Sequence, residues 1–186
     1  MHHLPNVITI FRILLVIPIV LLMWRESYGL ALLLTVIAGV SDAIDGALAR
    51  RYDWSSDVGV ALDPIADKLL VSALMIVFML QGHVPLWVGI IVLARDAIIL
   101  LGAALYRALF EKTNFRPTFL SKANTAIAIA TLSLVLLHLL RVSPLSDWAL
   151  LVLDPHLFYV LAVLGVASGA DYVVTWGARA WRHGRQ

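Results

Sequence analysis

Six of the chain's twelve acidic residues lie in one short stretch, and their spacing indicates metal-dependent chemistry. Asp42 and Asp45 are three residues apart, and Asp63 and Asp67 are four apart. Residues at these spacings share one face of a helix, so each pair presents two carboxylates together. Four gathered carboxylates need cations, and oxygen ligands favour Mg²⁺ or Mn²⁺. Two bridged ions would lie about 4 Å apart, which is the arrangement that clamps a phosphoryl group during its transfer.

The residues around the acids are small or cationic. Gly46 and Gly59 leave room for a flat group and a pyrophosphate, and Arg50 supplies a planar cation for phosphates. Small residues can instead serve tight helix packing in a membrane. The acids could likewise form buried ion pairs with neighbouring cations such as Arg51 and Lys68. We favour function, because carboxylates within apolar segments are costly unless they bind something.

Composition places the acids in a membrane protein. The chain has 186 residues, of which 61% are hydrophobic and 14% charged, and its mean hydropathy is +0.91. Soluble domains carry about 25% charged residues. Without cysteine, the chain has no disulfide, thiolate metal site or thiol nucleophile. A net charge of +2 gives no argument for a nucleic-acid partner.

Apolar runs predict an all-α fold of six transmembrane helices in a single domain, residues 1–186. A membrane-spanning helix needs about 20 apolar residues. The last run is too long for one span, so we expect a loop or an interfacial piece at Ser146–His156 and a helix from about Leu157. The runs are Val7–Trp24, Gly29–Ala49, Gly59–Leu80, Val84–Tyr106, Phe119–Leu140 and Leu145–Trp176.

Lysine and arginine residues predict the orientation of these spans. With a cytoplasmic N-terminus, ten of them fall on the inner side and only Arg25 and Arg141 on the outer side. Cytoplasmic segments carry such an excess, so both termini are expected in the cytoplasm. The acids then lie at the cytoplasmic ends of spans two and three. The expected location is the inner, or cytoplasmic, membrane, with the site facing the cytoplasm.

The acidic segment reads Asp42-x2-Asp45-Gly46-x2-Ala49-Arg50-x8-Gly59-x3-Asp63-x3-Asp67. It resembles the signature of the CDP-alcohol phosphatidyltransferase family at every signature position. The resemblance implies a six-helix membrane fold, two divalent cations, a CDP-diacylglycerol donor and a homodimer. The four aspartates would be the metal ligands, and Asp67 would also be the general base. The cytidine diphosphate pocket would be lined by Gly46, Ala49, Arg50 and Gly59.

Further segments are similar to one branch of the family. LPNVITIFRILLVIP (Leu4–Pro18) and ALDPIADKLL (Ala61–Leu70) resemble enzymes that make phosphatidylglycerophosphate and cardiolipin. FRPTFLSKANT (Phe115–Thr125), preceded by Arg95-Asp96, looks most like the CDP-alcohol type of cardiolipin synthase. This favours phosphatidylglycerol as the acceptor, giving cardiolipin. Glycerol 3-phosphate, giving phosphatidylglycerophosphate, stays open as the alternative.

Three cations are predicted to hold the phosphate that either acceptor carries. Arg95 lies in span four, and Arg116 and Lys122 lie on the same inner side. A basic cluster suits a phosphate. Arg95 could instead pair with Asp96 or Glu111, and the other two could simply mark topology or touch anionic lipids.

Two other classes of protein would use membrane-embedded acids. Aspartate-rich prenyltransferases also bind Mg²⁺ and pyrophosphate, but their acidic motifs lie far apart. A divalent-metal transporter would line the whole depth of several spans with polar residues. Here the acids cluster at one end of one helical hairpin. A phosphatidyl transfer reaction therefore fits the pattern better than either alternative.

Overall fold

The computed structural model consists of helices throughout the residues that it describes. It describes the backbone of residues 4–52, 57–109 and 119–183, and the side chains of residues 10–41, 68–102, 104–105, 119–153 and 155–175. Over these ranges no strand is present, which agrees with the predicted all-α class. The helices are α1 (Leu4–Trp24), α2 (Tyr28–Tyr52), α3 (Asp57–Leu80), α4 (Leu86–Leu109), α5 (Phe119–Leu139), α6 (Leu145–Val152) and α7 (Phe158–His183).

Six helices of 21 to 26 residues correspond to the six apolar runs, and their ends lie close to the predicted ones. Of the two alternatives predicted for Ser146–His156, the loop is wrong, because this stretch is helical, whereas the interfacial piece stays a prediction. Helix α6 begins after Pro144 and carries Asp147 in its first turn, where a carboxylate interacts favourably with the helix dipole. A single wide turn of π-helix, Leu153–Leu157, then leads into α7.

Short turns join the helices at the end opposite the acidic segment. Gly82 has φ 77° in the turn between α3 and α4, a conformation that glycine adopts without steric cost. In the same turn the His83 amide donates to the Phe78 carbonyl at 2.8 Å. The backbone groups at the end of α3 are therefore satisfied within the turn.

Helix α1 packs against both α2 and α3, and α7 packs against α4 and α5. Between these groups, α3 contacts α4 and α5, and α2 contacts α5. Large apolar side chains fill the centre, including Ile19, Met75, Phe78, Val88 and Leu136, all of which are nearly inaccessible to solvent. Between helices in a bilayer, such side chains contribute mainly through close van der Waals packing.

The outer surface is apolar in a way that suits a lipid environment. On α1, Leu14, Ile17 and Leu21 are each more than half exposed and follow one another at helical spacing. Polar side chains such as Asn124 and Ser168 are buried instead. Such an arrangement fits a membrane protein. Among the residues with described side chains, two stretches are long and apolar enough to cross a bilayer, Phe119–Leu139 and Pro155–Thr175.

Candidate functional site

The acidic segment occupies the last part of α2 and the first part of α3. Helix α2 continues through the positions of Asp42 and Asp45, and α3 begins before Asp63 and Asp67. The helical backbone gives each pair the spacing of a shared face. These four side chains lie outside the described ones, as do those of Gly46, Ala49, Arg50 and Gly59. Among the described side chains, no group of three metal-ligating residues is found, and the metal site stays a prediction.

A cavity of about 790 Å³ adjoins this segment. Gly39, three residues before Asp42, and Lys68, immediately after Asp67, both line it. The polar wall near the acidic segment is formed by Arg12, Lys68, Asp96, Ser121, Lys122, Asn124 and Thr125. Farther along the same helices the lining is mostly apolar and includes Leu32, Leu74, Val92, Leu132 and Leu136, with Thr35 and Ser133 as polar exceptions. The cavity therefore has a polar end and a largely apolar end, as an amphiphilic ligand requires.

A buried charge cluster forms part of the polar wall. Asp96 Oδ1 accepts hydrogen bonds from both Lys68 Nζ and Arg95 Nη1. Asp96 and Arg95 are 7% and 3% exposed, so both ions have left water. Such ions are tolerated when they are paired and hydrogen-bonded. The cluster ties α3 to α4 at the residue that follows Asp67.

Arg95 makes three further hydrogen bonds, which join it to two serines. Its Nε donates to Ser168 Oγ of α7 at 2.9 Å. Its Nη2 donates to Ser121 of α5, at 2.6 Å to Oγ and 3.3 Å to the carbonyl oxygen. The planar guanidinium presents several donors in fixed directions, which is why one arginine can join three helices.

The structure gives a different outcome for each of the three cations that were predicted to bind the acceptor phosphate. Lys122 is exposed and lines the cavity. Arg95 is instead engaged with Asp96, Ser121 and Ser168, so the open alternative of pairing with Asp96 is the arrangement observed. Arg116 lies outside the described residues.

Sequence reasoning missed several polar residues of this region. Arg12 on α1 is 2% exposed and lines the cavity. Asn124 is 1% exposed in the cavity wall, and its Oδ1 has no hydrogen-bond partner. The sequence did point to the region of Asn124, because this residue belongs to the segment Phe115–Thr125 that resembles cardiolipin synthases. Ser168 gave no comparable signal, because a lone serine in an apolar helix is common.

Comparison with known proteins gives a match over nearly the whole chain. The family model for CDP-alcohol phosphatidyltransferase matches residues 2–175. A cardiolipin synthase (CMP-forming) / mitochondrial hydrolase fusion protein of Schizosaccharomyces pombe is 32% identical over 189 aligned residues, which cover 92% of this chain and 31% of that protein.

Two further relatives carry different names. A probable cardiolipin synthase (CMP-forming) of Drosophila melanogaster is 35% identical over 71% of this chain and 46% of that protein. A CDP-diacylglycerol–glycerol-3-phosphate 3-phosphatidyltransferase of Rickettsia typhi is 35% identical over 74% of this chain and 78% of that protein. The chain thus spans less than half the length of the first two relatives.

Proposed function

The chain belongs to the CDP-alcohol phosphatidyltransferase family, and from that premise we propose that it transfers the phosphatidyl group of CDP-diacylglycerol to a glycerol-type acceptor and releases CMP. The observation that carries the proposal is the position of the acidic segment. The segment lies at the end of α2 and the start of α3, next to a cavity with a polar and a largely apolar end. A nucleotide-linked lipid needs both environments in one site.

The acceptor that we propose is phosphatidylglycerol, which gives cardiolipin. The similarity to relatives named cardiolipin synthase supports this choice, as does the segment Phe115–Thr125. Glycerol 3-phosphate is the second candidate, because the Rickettsia relative is named for that acceptor and the match covers most of both chains.

Two divalent cations, Mg²⁺ or Mn²⁺, would be held by Asp42, Asp45, Asp63 and Asp67. This donor set fits such ions, since it offers only hard carboxylate oxygens on two successive helices. When bound, the cations would neutralise the pyrophosphate and stabilise the departing CMP. The cytidine diphosphate group would lie against Gly46, Ala49, Arg50 and Gly59, where Arg50 supplies a planar cation for its phosphates.

The acceptor hydroxyl attacks the phosphorus of the phosphatidyl group in the proposed reaction. A new phosphorus–oxygen bond forms, the bond from that phosphorus to the oxygen of CMP breaks, and the hydroxyl proton passes to the Asp67 carboxylate. General base catalysis of this kind contributes about 10²–10⁴-fold. Of the three cations predicted to bind the acceptor phosphate, Lys122 lines the cavity. Arg116 is proposed on the sequence alone. Arg95 contributes as a member of the charge cluster with Asp96 and Lys68.

In the bilayer, we infer six membrane-spanning helices, α1 to α5 and α7, with both termini in the cytoplasm. The ten basic residues of the inner segments support this orientation. The site then faces the cytoplasm, where CDP-linked substrates meet the lipid surface. We further propose that residues 1–186 form one domain in the inner, or cytoplasmic, membrane and that the protein is a homodimer.

An acceptor panel tests the proposed function. Purified protein in mixed micelles receives CDP-diacylglycerol and Mg²⁺ or Mn²⁺, and CMP release is followed with phosphatidylglycerol, glycerol 3-phosphate or neither. Release with phosphatidylglycerol alone supports cardiolipin synthesis, and release with glycerol 3-phosphate alone makes the second candidate correct. Folded, metal-loaded protein that releases no CMP with any acceptor would contradict the transferase and favour another class, such as a divalent-metal transporter.

A further inference from the structure

The two cations of the charge cluster differ in how many of their donors are free for a ligand. Arg95 has a side chain that is only 3% exposed, and it donates to Asp96, Ser168 and Ser121. The side chain of Lys68 is 21% exposed, lines the cavity and makes one hydrogen bond, to Asp96. An ammonium group has three donors. Lys68 therefore has two further donors to offer to a group in the cavity.

Among the described side chains, the cluster carries more positive than negative charge, which suits an anionic ligand. Lys68 and Arg95 carry two positive charges, and the carboxylate that they share, Asp96, carries one negative charge. Ions removed from water are stabilised only when opposite charges and hydrogen bonds compensate them. Lys122, an exposed cation of α5, lines the same cavity.

Without the Lys68 charge, the buried carboxylate of Asp96 would still be paired with Arg95. Arg95 and Asp96 alone form a neutral pair, and the bonds from Arg95 to Ser121 and Ser168 remain. The fold thus does not need Lys68 in order to balance the buried carboxylate. Among the described side chains, Lys68 thus adds a positive charge beyond the one that Arg95 already gives Asp96, and it does so on a cavity wall where an anionic ligand can approach it.

We propose that Lys68, held in place by Asp96, binds the phosphate of the acceptor, and that Arg95, Ser121 and Ser168 are positioning residues that fix Asp96. The proposal rests on the function proposed above and assigns Lys68 a role that the predicted phosphate ligands did not include. Lys68 follows Asp67 directly on α3, so a phosphate bound there is anchored beside the proposed base.

The two acceptors share the chemistry that Lys68 would recognise. Each contains a glycerol unit that carries a phosphate at one end and the attacking hydroxyl at the other. One cation next to the base can therefore anchor either a phosphodiester lipid or a free phosphomonoester, with the hydroxyl directed towards Asp67. The source of the phosphate is for the experiment to decide.

Steady-state kinetics of charge variants test the assignment. For Lys68→Met we expect the KM for the acceptor to rise about 10-fold or more, which corresponds to the loss of one hydrogen bond to a charged group. The KM for CDP-diacylglycerol should stay within about 2-fold, because the donor is held elsewhere. Lys68→Arg should retain most of the affinity for the acceptor, and Asp96→Asn should raise the acceptor KM with a smaller effect on kcat.

The matched control is Arg25→Met, which removes an exposed cation that directly follows the last residue of α1. It should leave both KM values unchanged. An unchanged acceptor KM in Lys68→Met would overturn the proposal. So would an equal rise of both KM values, because that result indicates a general effect of charge.

Binding without turnover separates this proposal from the proposed function. Calorimetry is carried out with Mg²⁺ present and CDP-diacylglycerol absent, so that no turnover occurs, with glycerol 3-phosphate and with phosphatidylglycerol in micelles as separate probes. Binding to the wild type and to Lys68→Arg, together with weaker binding to Lys68→Met, supports the site, and the probe that binds identifies the source of the phosphate. Equal binding of both probes to Lys68→Met and wild type, or binding of neither to the wild type, would refute it whatever the result of the CMP assay.

Discussion

Lys68 Nζ and Arg95 Nη1 both donate to the same oxygen of Asp96, so the carboxylate joins a cation on α3 to a cation on α4. Because Lys68 directly follows Asp67, this junction lies next to the acidic segment. Arg95 extends it to α5 and α7 through two serines. Side chains fixed by packing and hydrogen bonds of this kind hold functional groups in a productive geometry.

The first prediction concerns Asp67 and Asp42. Asp67→Asn should abolish CMP release while leaving substantial binding of CDP-diacylglycerol, because an amide cannot accept the proton of the acceptor hydroxyl. Asp42→Asn should weaken metal binding, measured by titration with Mn²⁺. The control is Asp147→Asn, an exposed carboxylate on α6. Wild-type activity in either of the first two variants would refute the assignment of the metal site.

The second prediction concerns the buried guanidinium of Arg95. Arg95→Met removes the donors to Asp96, Ser121 and Ser168 and should lower the free energy of unfolding by about 1.5–3 kcal/mol, the value of hydrogen bonds to a charged group. Thermal unfolding in detergent measures the change, with Arg25→Met as the exposed control. Arg95→Lys should also be destabilised, since a lysine cannot reproduce the planar fork. An unchanged melting temperature in both Arg95 variants would contradict the support role.

Much of the fold was predictable because each element left a strong pattern in the sequence. The six long helices follow from apolar runs of about the length that a bilayer requires. The short helix α6 was not predicted, although Pro144 precedes it and Asp147 lies in its first turn, as at many helix starts. Pattern alone does not distinguish a loop from a helix start in so short a segment.

The candidate site was predictable only in part. The acidic segment stands out because charges are rare in apolar helices. The partners of Arg95 depend instead on how α4, α5 and α7 pack together, and Ser168 is 73 residues away from Arg95 in the chain. The sequence offered Asp96 as one possible partner, whereas the role of Lys68 in the same cluster depends on the packing of α3 against α4.

The third prediction is a loss of stability in acid that depends on His83. Burial lowers the pKa of His83, helped by the nearby His138 and opposed by Glu26. The unfolded chain therefore takes up a proton at a higher pH than the folded chain. This contribution to stability is fully present above the ordinary pKa of 6.5 and is lost as pH falls through the lower pKa of the folded protein.

Melting temperatures measured between pH 7.5 and 5 check this prediction for His83. In His83→Gln the decline on acidification should be smaller than in the wild type. His156→Gln, which replaces an exposed histidine, should decline as the wild type does. An identical decline in His83→Gln and wild type would rule out His83 as the source.

The fourth prediction concerns Gly165, where α7 approaches α4. A Cβ at Gly165 would lie 3.0 Å from Ile91 Cγ2, and that methyl group is fixed by the branching of isoleucine at Cβ. Gly165→Ala should therefore destabilise the protein by about 1–3 kcal/mol, the cost of overpacking. Gly39→Ala is the control, because a Cβ there meets no atom within 4 Å. Equal melting temperatures for the two variants would contradict this reading of the helix contact.

The last prediction tests whether the cavity next to the acidic segment receives lipid. Gly39 lines the cavity and has open space around the position of a Cβ, so Gly39→Leu should fill part of it without disturbing the fold. We expect kcat/KM for CDP-diacylglycerol with long acyl chains to fall about 10-fold, while a short-chain donor is affected less. The 10-fold figure corresponds to about 1.4 kcal/mol of lost transition-state binding. Val40→Leu enlarges the neighbouring exposed side chain and should leave both donors unaffected. Equal losses for long- and short-chain donors in Gly39→Leu would mean that the cavity holds some other part of the substrates.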